Sequence, residues 1–295
     1  MLNLFRAEWH KVTGNRWVAG CMIWIFPIGA FGFVLVIGAI LALSSTFRES
    51  FTEEPTRWTD QAVAVWELPN DPTIGRLILV GFTAVVFAGE YQWGTWKSVV
   101  PRNRRLALIL TKFFTVGVFV IVAFVVMSII LALGSWPLVA MAGGTYGPKP
   151  TGEVIRDFLG EYALQAATSF TAVMIAAGYA ALAAMLTRSI LGGIVAGVII
   201  TAAEGFSILA LFIVGSLFDV PRLVLLYRFT PTYNLLNVTS WLRSNEPNAI
   251  NFENIAGTNI YYSDTLLFSL VMLAMWMISL IALTSGLFQR QDITS

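Results

Sequence analysis

Gly89-Glu90-Tyr91-Gln92-Trp93-Gly94-Thr95-Trp96-Lys97-Ser98-Val99-Val100-Pro101-Arg102-Asn103-Arg104-Arg105-Leu106 is a short polar, basic and aromatic interruption between two long apolar segments. Trp93, Trp96 and Val100 recur at i, i+3 and i+7, so a helix over this stretch presents one apolar face. Lys97 falls between those positions, Pro101 ends the helix, and Arg102, Arg104 and Arg105 follow at once. The segment is too polar to cross a bilayer and too apolar on one side to be a plain linker. It reads as a surface helix that docks onto a partner. The plainer alternative is an interfacial loop held by tryptophan anchors and positive charge.

The flanking composition decides the class. Of 295 residues, 57% are hydrophobic and only 12% charged, with a mean hydropathy of +0.75. A soluble domain carries about 25% charge, so this chain belongs in a membrane. A net charge of +1 argues against a general nucleic-acid binder. Cys21 is the only cysteine, which excludes an intrachain disulfide and any cysteine metal cluster. His10 is the only histidine, which removes bis-His haem ligation, paired-His metal sites and most histidine catalysis. The sequence holds no Gly-x-x-x-x-Gly-Lys-Ser/Thr phosphate loop, so any nucleotide hydrolysis belongs to another chain.

Outward from the quoted stretch, the periodicity predicts an all-α membrane protein, one transmembrane domain over residues 1–295. Residues 1–15 read as an amphipathic interfacial helix, with Leu2, Phe5, Trp9 and Val12 on one stripe and Arg6, Glu8 and Lys11 elsewhere. Six spans are expected at about 17–43, 72–90, 106–136, 162–186, 190–217 and 265–288. The first is too long for a signal-peptide core and is read as uncleaved. Pro27, Gly29 and Gly32 predict a kink or close packing within it. Trp58 and Trp66 read as interfacial anchors in the loop that follows. Residues 219–264 mix polar and apolar runs, which suggests short helices dipping partway into the outer leaflet.

An even number of spans puts both termini on one side. That side holds ten of the 18 Lys and Arg residues, clustered at span ends, so the termini are expected in the cytoplasm. Glu204, midway along the fifth expected span, is a functional candidate because a carboxylate at that depth is expensive. It lines a pathway, binds a cation or takes up a proton. The plain alternatives are a hydrogen bond between helices made by the protonated acid, with Thr168, Ser169 and Thr171 as expected partners, or a water-filled cleft at a kink near Gly205. Gly193 and Gly197 form a small-xxx-small packing pattern.

Gly89-Glu90, Gly94-Thr95, and Pro101 followed by Arg104-Arg105 resemble the first cytoplasmic loop of type-2 ABC transporter permeases. The resemblance extends to the N-terminal helix, the six spans, the external region between the fifth and sixth spans, and the short tail. It implies a cytoplasmic coupling helix between spans 2 and 3, gripped by a cytosolic ATPase, and an external helical hairpin between spans 5 and 6. Glu90, Trp93, Gly94, Thr95, Trp96, Val100, Pro101, Arg104 and Arg105 become the expected coupling residues, with Glu90 capping the helix N-terminus. Trp96 departs from the aliphatic residue more usual there. The implied function is a permease subunit, itself without catalytic residues, metal or cofactor. It exports a substrate across a bacterial inner membrane on ATP and Mg bound by a dimer of partner ATPase subunits. The implied partners are those subunits, a second permease copy or a related permease, and lipid, with no nucleic acid. Two other classes remain at this point: an ion-coupled secondary transporter using Glu204, and a structural subunit of a membrane complex.

Overall fold

Within hydrocarbon, an α-helix satisfies every backbone hydrogen bond inside one segment, so long apolar runs fold as helices. The computed structural model describes residues 2–14, 23–51, 55–69, 74–96, 100, 104–255 and 258–291, and it is overwhelmingly helical. Helix α1 spans Leu2–Gly14, α2 Ile25–Leu43, α3 Ser45–Phe51 and α4 Trp58–Ala64. Next come α5, Ile74–Gln92, α6, Arg105–Ala142, and α7, Gly152–Thr187. Helices α8, Ile190–Gly205, and α9, Ser207–Leu217, meet at Phe206; α10 is Pro231–Ser244 and α11 is Leu266–Arg290. Helices α2, α6, α7 and α11 are each long and apolar enough to cross a membrane. The pair α8 and α9, bent by 64°, makes a fifth crossing if taken as one span. The chain is a multi-pass membrane protein.

Helix α5, the second of the expected spans, is the axis of the bundle. Every residue from Leu79 to Glu90 is buried, because α7 and α8 pack along it. The small-residue pattern on α8 explains how closely. A Cβ on Gly193 would meet the Ala184 Cβ at 2.9 Å, and one on Gly197 would meet the Val80 Cγ1 at 2.9 Å and the Ala180 Cα at 3.1 Å. The pattern therefore serves packing within the chain. Phe82, Phe87, Phe119 and Phe124 fill the centre beside Trp66, with Phe82 and Phe119 edge to face at 6.0 Å. The outward faces of α2 and α11 remain apolar and uncovered, with Phe31, Phe33, Leu267 and Ile278 all more than half exposed.

Several expectations are corrected. Pro27 lies in the first turn of α2, where proline costs no helical hydrogen bond, directly after a turn at Ile23 and Trp24 that interrupts the expected first span; residues 17–22 of that span lie outside the described residues. A Cβ on Gly29 or Gly32 would meet nothing within 4 Å, so neither marks close packing inside the chain. Trp66 is no interfacial anchor: it is 2% exposed and stacks against Phe124 at 5.2 Å. Trp58 opens α4 and donates its indole N–H to the Pro148 carbonyl at 2.8 Å. The external region holds a 3-10 segment, Pro221–Phe229, and α10, but it continues into an antiparallel hairpin of strands Ile250–Ile255 and Thr258–Tyr262. The alternation Ile250, Phe252 against Ile260, Tyr262 puts one apolar face of that hairpin on Tyr233 and Tyr227.

Candidate functional site

The quoted stretch begins inside α5, whose last turn carries Glu90, only 1% exposed. A lone buried carboxylate would be untenable, and the chain supplies two lysines. Lys112, seven residues into α6 and equally buried, donates to Glu90 Oε1 at 3.0 Å, to Glu8 Oε2 at 3.1 Å and to the Val86 carbonyl at 2.9 Å. Those three acceptors match the three N–H donors of its ammonium. Lys11 bridges Glu90 as well and lies 3.8 Å from Glu8. Two carboxylates and two ammoniums thus form a closed, neutral cluster that ties α1, α5 and α6 together. Burial pushes the Lys11 ammonium down to about 8; the charge on Lys112 pushes the same way and Glu8 opposes it.

Helix α1 is docked by the same logic. Glu8 and Val12 are its buried residues, and Trp9 stacks flat on Phe119 at 4.3 Å while Phe5 meets Phe114 edge-on at 5.1 Å. The sequence pattern puts Glu8 off the apolar stripe, yet it occupies the i+3 place in Phe5, Glu8, Trp9, Val12. That spacing was the available signal for a buried acid, and Lys112 within an apolar run was the signal for its partner.

Beyond Gln92 the chain turns at residues 93–95, and helical geometry resumes at Trp96. Gly94 adopts φ +65°, a left-handed conformation that glycine takes without steric cost. Trp93 folds back so that a Cβ on Gly89 would strike its ring at 2.8 Å, and it is still 50% exposed. Thr95 returns to Glu90 twice, donating its hydroxyl to the carboxylate and its backbone N–H to the carbonyl at 3.2 Å. Glu90 is therefore a junction between α1, α5, α6 and the turn at Thr95.

Trp96 is 2% exposed, packed on Phe288 at 4.4 Å and Tyr91 at 5.8 Å, with the Lys112 ammonium 5.3 Å from its ring. The expected common face of Trp93, Trp96 and Val100 does not form. Trp96 belongs to the chain's own core, Val100 is half-buried against it, and Trp93 alone projects. The physical reason is that the end of α11 offers Trp96 an apolar seat, something helical spacing alone cannot reveal. Lys97, Pro101 and Arg102 lie outside the described residues.

Arg104 is exposed and Arg105 is not free for a partner. The Arg105 guanidinium donates to the carbonyls of Phe288 and Gln289, both at 2.8 Å, and of Gln291 at 3.0 Å. It thereby satisfies the open carbonyls at the C-terminus of α11, where the helix dipole also favours a cation. Gln291 in turn donates to the Met185 carbonyl at 2.7 Å and accepts from the Tyr91 hydroxyl.

Glu204 sits far from this collar, one residue before the α8 C-terminus. Its Oε1 accepts from the backbone N–H and the hydroxyl of Thr232, the former at 2.9 Å. Thr232 lies in the first turn of α10, so the carboxylate caps a helix N-terminus. The expected partners are engaged elsewhere: Thr168 with the Leu164 and Gln165 carbonyls, Ser169 with Trp66, Thr171 with Ala167. The carboxylate is half-buried at the bend and bonded to the external region rather than to α7.

No protein-family profile matches the chain, and no solved structure does. Along its whole length and the whole length of the relative, the chain is 25% identical to the uncharacterized protein YhcI of Bacillus subtilis (strain 168).

Proposed function

We propose that the chain is the membrane-spanning subunit of a type-2 ABC transporter, exporting its substrate on energy from ATP hydrolysed in separate cytosolic subunits. The observation that carries this reading is how the 89–106 stretch is mounted. Trp93 projects from the end of the most deeply buried helix, while Glu90, Thr95, Trp96 and Arg105 lock the stretch to α1, α6 and α11. A force applied at Trp93 therefore reaches the bundle axis and both ends of the chain together. On this reading α5 is the sixth crossing, the termini are cytoplasmic, and Arg104 with Trp93 faces the ATPase. The uncovered apolar faces of α2 and α11 meet lipid and a second permease. The capping bond from Glu204 to Thr232 favours a structural role for that carboxylate over ion coupling.

Affinity purification of the tagged chain from its native membrane, with identification of retained proteins, tests the reading. An ABC ATPase is expected, lost from a Trp93→Asp variant that still inserts. Absence of any ATPase, or undiminished retention by the variant, refutes it. Transport that persists in vesicles lacking ATP would instead favour an ion-coupled carrier.

A further inference from the structure

At the end of the bundle opposite the termini, two cavities meet. The outer, about 480 Å³, lies between α4 and the start of α7, and the inner, about 400 Å³, lies between α5, α7 and α10. Glu67 and Arg243 line both, so the chambers adjoin across these two side chains. Volumes of this size match those of small-molecule sites.

The outer chamber is strongly acidic, lined by Asp60, Glu67, Asp157 and Glu161 against a single guanidinium, Arg243. Arg243 is committed to Glu161 and to Gln165 Oε1, the latter at 3.1 Å. Asp60, Glu67 and Asp157 have no basic partner among the described residues. Val63 and Phe158 supply apolar wall beside them. These carboxylates do not converge on a metal: no group of three or more His, Cys, Asp or Glu among the described residues is placed to hold one.

The inner chamber differs in kind. Gln165 is 4% exposed and lines it; its carbonyl oxygen is taken by Arg243, and its amide N–H groups meet no acceptor among the described residues. An amide donor that opens on the cavity offers a hydrogen bond to an acceptor on whatever enters. Arg76 lines the same chamber, held through its Nε to the Pro69 carbonyl at 2.7 Å, and Leu235 and Leu236 form an apolar side. Gly205, at the 64° bend between α8 and α9, also lines the inner chamber. Thr168 lies 16 residues into α7, about 24 Å along the axis at 1.5 Å per residue. The remaining 19 residues span about 28 Å, close to the thickness of the hydrocarbon layer. The inner chamber therefore sits at the membrane surface, and the acidic chamber opens beyond it.

We infer that this double cavity binds an organic cation with an apolar body and a hydrogen-bond acceptor. The ammonium sits among Asp60, Glu67 and Asp157, and the acceptor end reaches the Gln165 amide. The site needs no ATPase to bind its ligand, so it stands or falls apart from the transport reading.

Rhodamine 6G, a cation with an apolar ring system and an ester, is the probe; fluorescein, an anion on the same ring system, is the control. Fluorescence anisotropy is measured with the full chain in nanodiscs of zwitterionic lipid, and empty nanodiscs give the lipid background. Saturable binding of rhodamine 6G alone is expected. Glu67→Gln and Asp157→Asn should each weaken it about two- to fivefold, as for partly exposed ion pairs, and Glu67→Asp should retain it. Because these side chains are exposed, the variants should melt with the wild type. Equal binding of fluorescein, no binding above empty nanodiscs, or affinity indifferent to both neutralisations would overturn the inference.

Discussion

Replacing Lys112 with methionine removes one charge while keeping the length of the side chain, and it tests whether the four-charge cluster holds the terminal end of the bundle together. The ammonium is 1% exposed and satisfies three acceptors within 3.1 Å. Without it, two buried carboxylates share only Lys11, whose side chain is 31% exposed. Breaking a buried ion pair from one side costs about 3–5 kcal/mol. At about 2–4 °C per kcal/mol for a domain of a few hundred residues, the melting temperature should fall by roughly 10 °C. The assay is thermal unfolding of the purified protein in one detergent, followed by tryptophan fluorescence. The double variant Lys112→Met, Glu90→Gln should recover much of the loss, because removing both partners strands only a neutral amide. A single variant that melts with the wild type, or a double variant less stable than the single, would refute the reasoning.

Other outcomes follow from the same geometry. Trp96→Ala should destabilise the protein by about 3–5 kcal/mol, the usual cost of emptying a buried aromatic site, whereas Trp93→Ala should leave the melting temperature unchanged; similar behaviour of the two would contradict their opposite burial. Glu204→Ala should cost about 1 kcal/mol, as loss of a helix cap does, and Glu204→Gln far less, since an amide oxygen still accepts from Thr232; equal losses would remove the capping role. Lys11 should acylate with a midpoint near pH 8 rather than near its ordinary 10.5, read by mass spectrometry across a pH series. The sign for stability is fixed by the same depression: the unfolded chain binds the extra proton between pH 8 and 10.5. The cost of burying a charged Lys11 is therefore full below pH 8 and is relieved as pH rises through that window. A midpoint near 10.5 would dismiss it.

Hydrophobic periodicity made the helices readable, and their limits shifted mainly where an apolar run gave way to amphipathic sequence. Helix α7 begins at Gly152, ten residues ahead of the expected 162, because its first turns stand outside the apolar region and pack on the α4 segment. The candidate site was legible in its letters and not in its contacts. Spacing shows that Trp93 and Trp96 would share a face if the helix continued, but it cannot show that Gly94 turns the chain first. Nor can it say what an apolar face meets. Trp96 found Phe288, nearly two hundred residues away, and Glu90 found Lys11 and Lys112 on two different helices. Glu204 was legible as an anomaly, but its partner Thr232 lies beyond a bend and a 3-10 segment that local sequence does not join. The short helices expected within residues 219–264 are present at Pro221–Phe229 and Pro231–Ser244, while the hairpin beyond them alternates in sequence as strands do.

The bonds from Arg105 to the end of α11 impose an order on biogenesis. Arg105 precedes Phe288 by 183 residues and Tyr91 precedes Gln291 by 200, so these partners are synthesised long after the residues they hold. While the ribosome is still making the later helices, Trp96 has no Phe288 to lie against and Arg105 has no carbonyls to cap. Trp96 and Arg105 gain these partners only when the last turn of α11 has been made. A chain truncated before residue 288 would leave Trp96 without its aromatic seat and Arg105 without the carbonyls it caps.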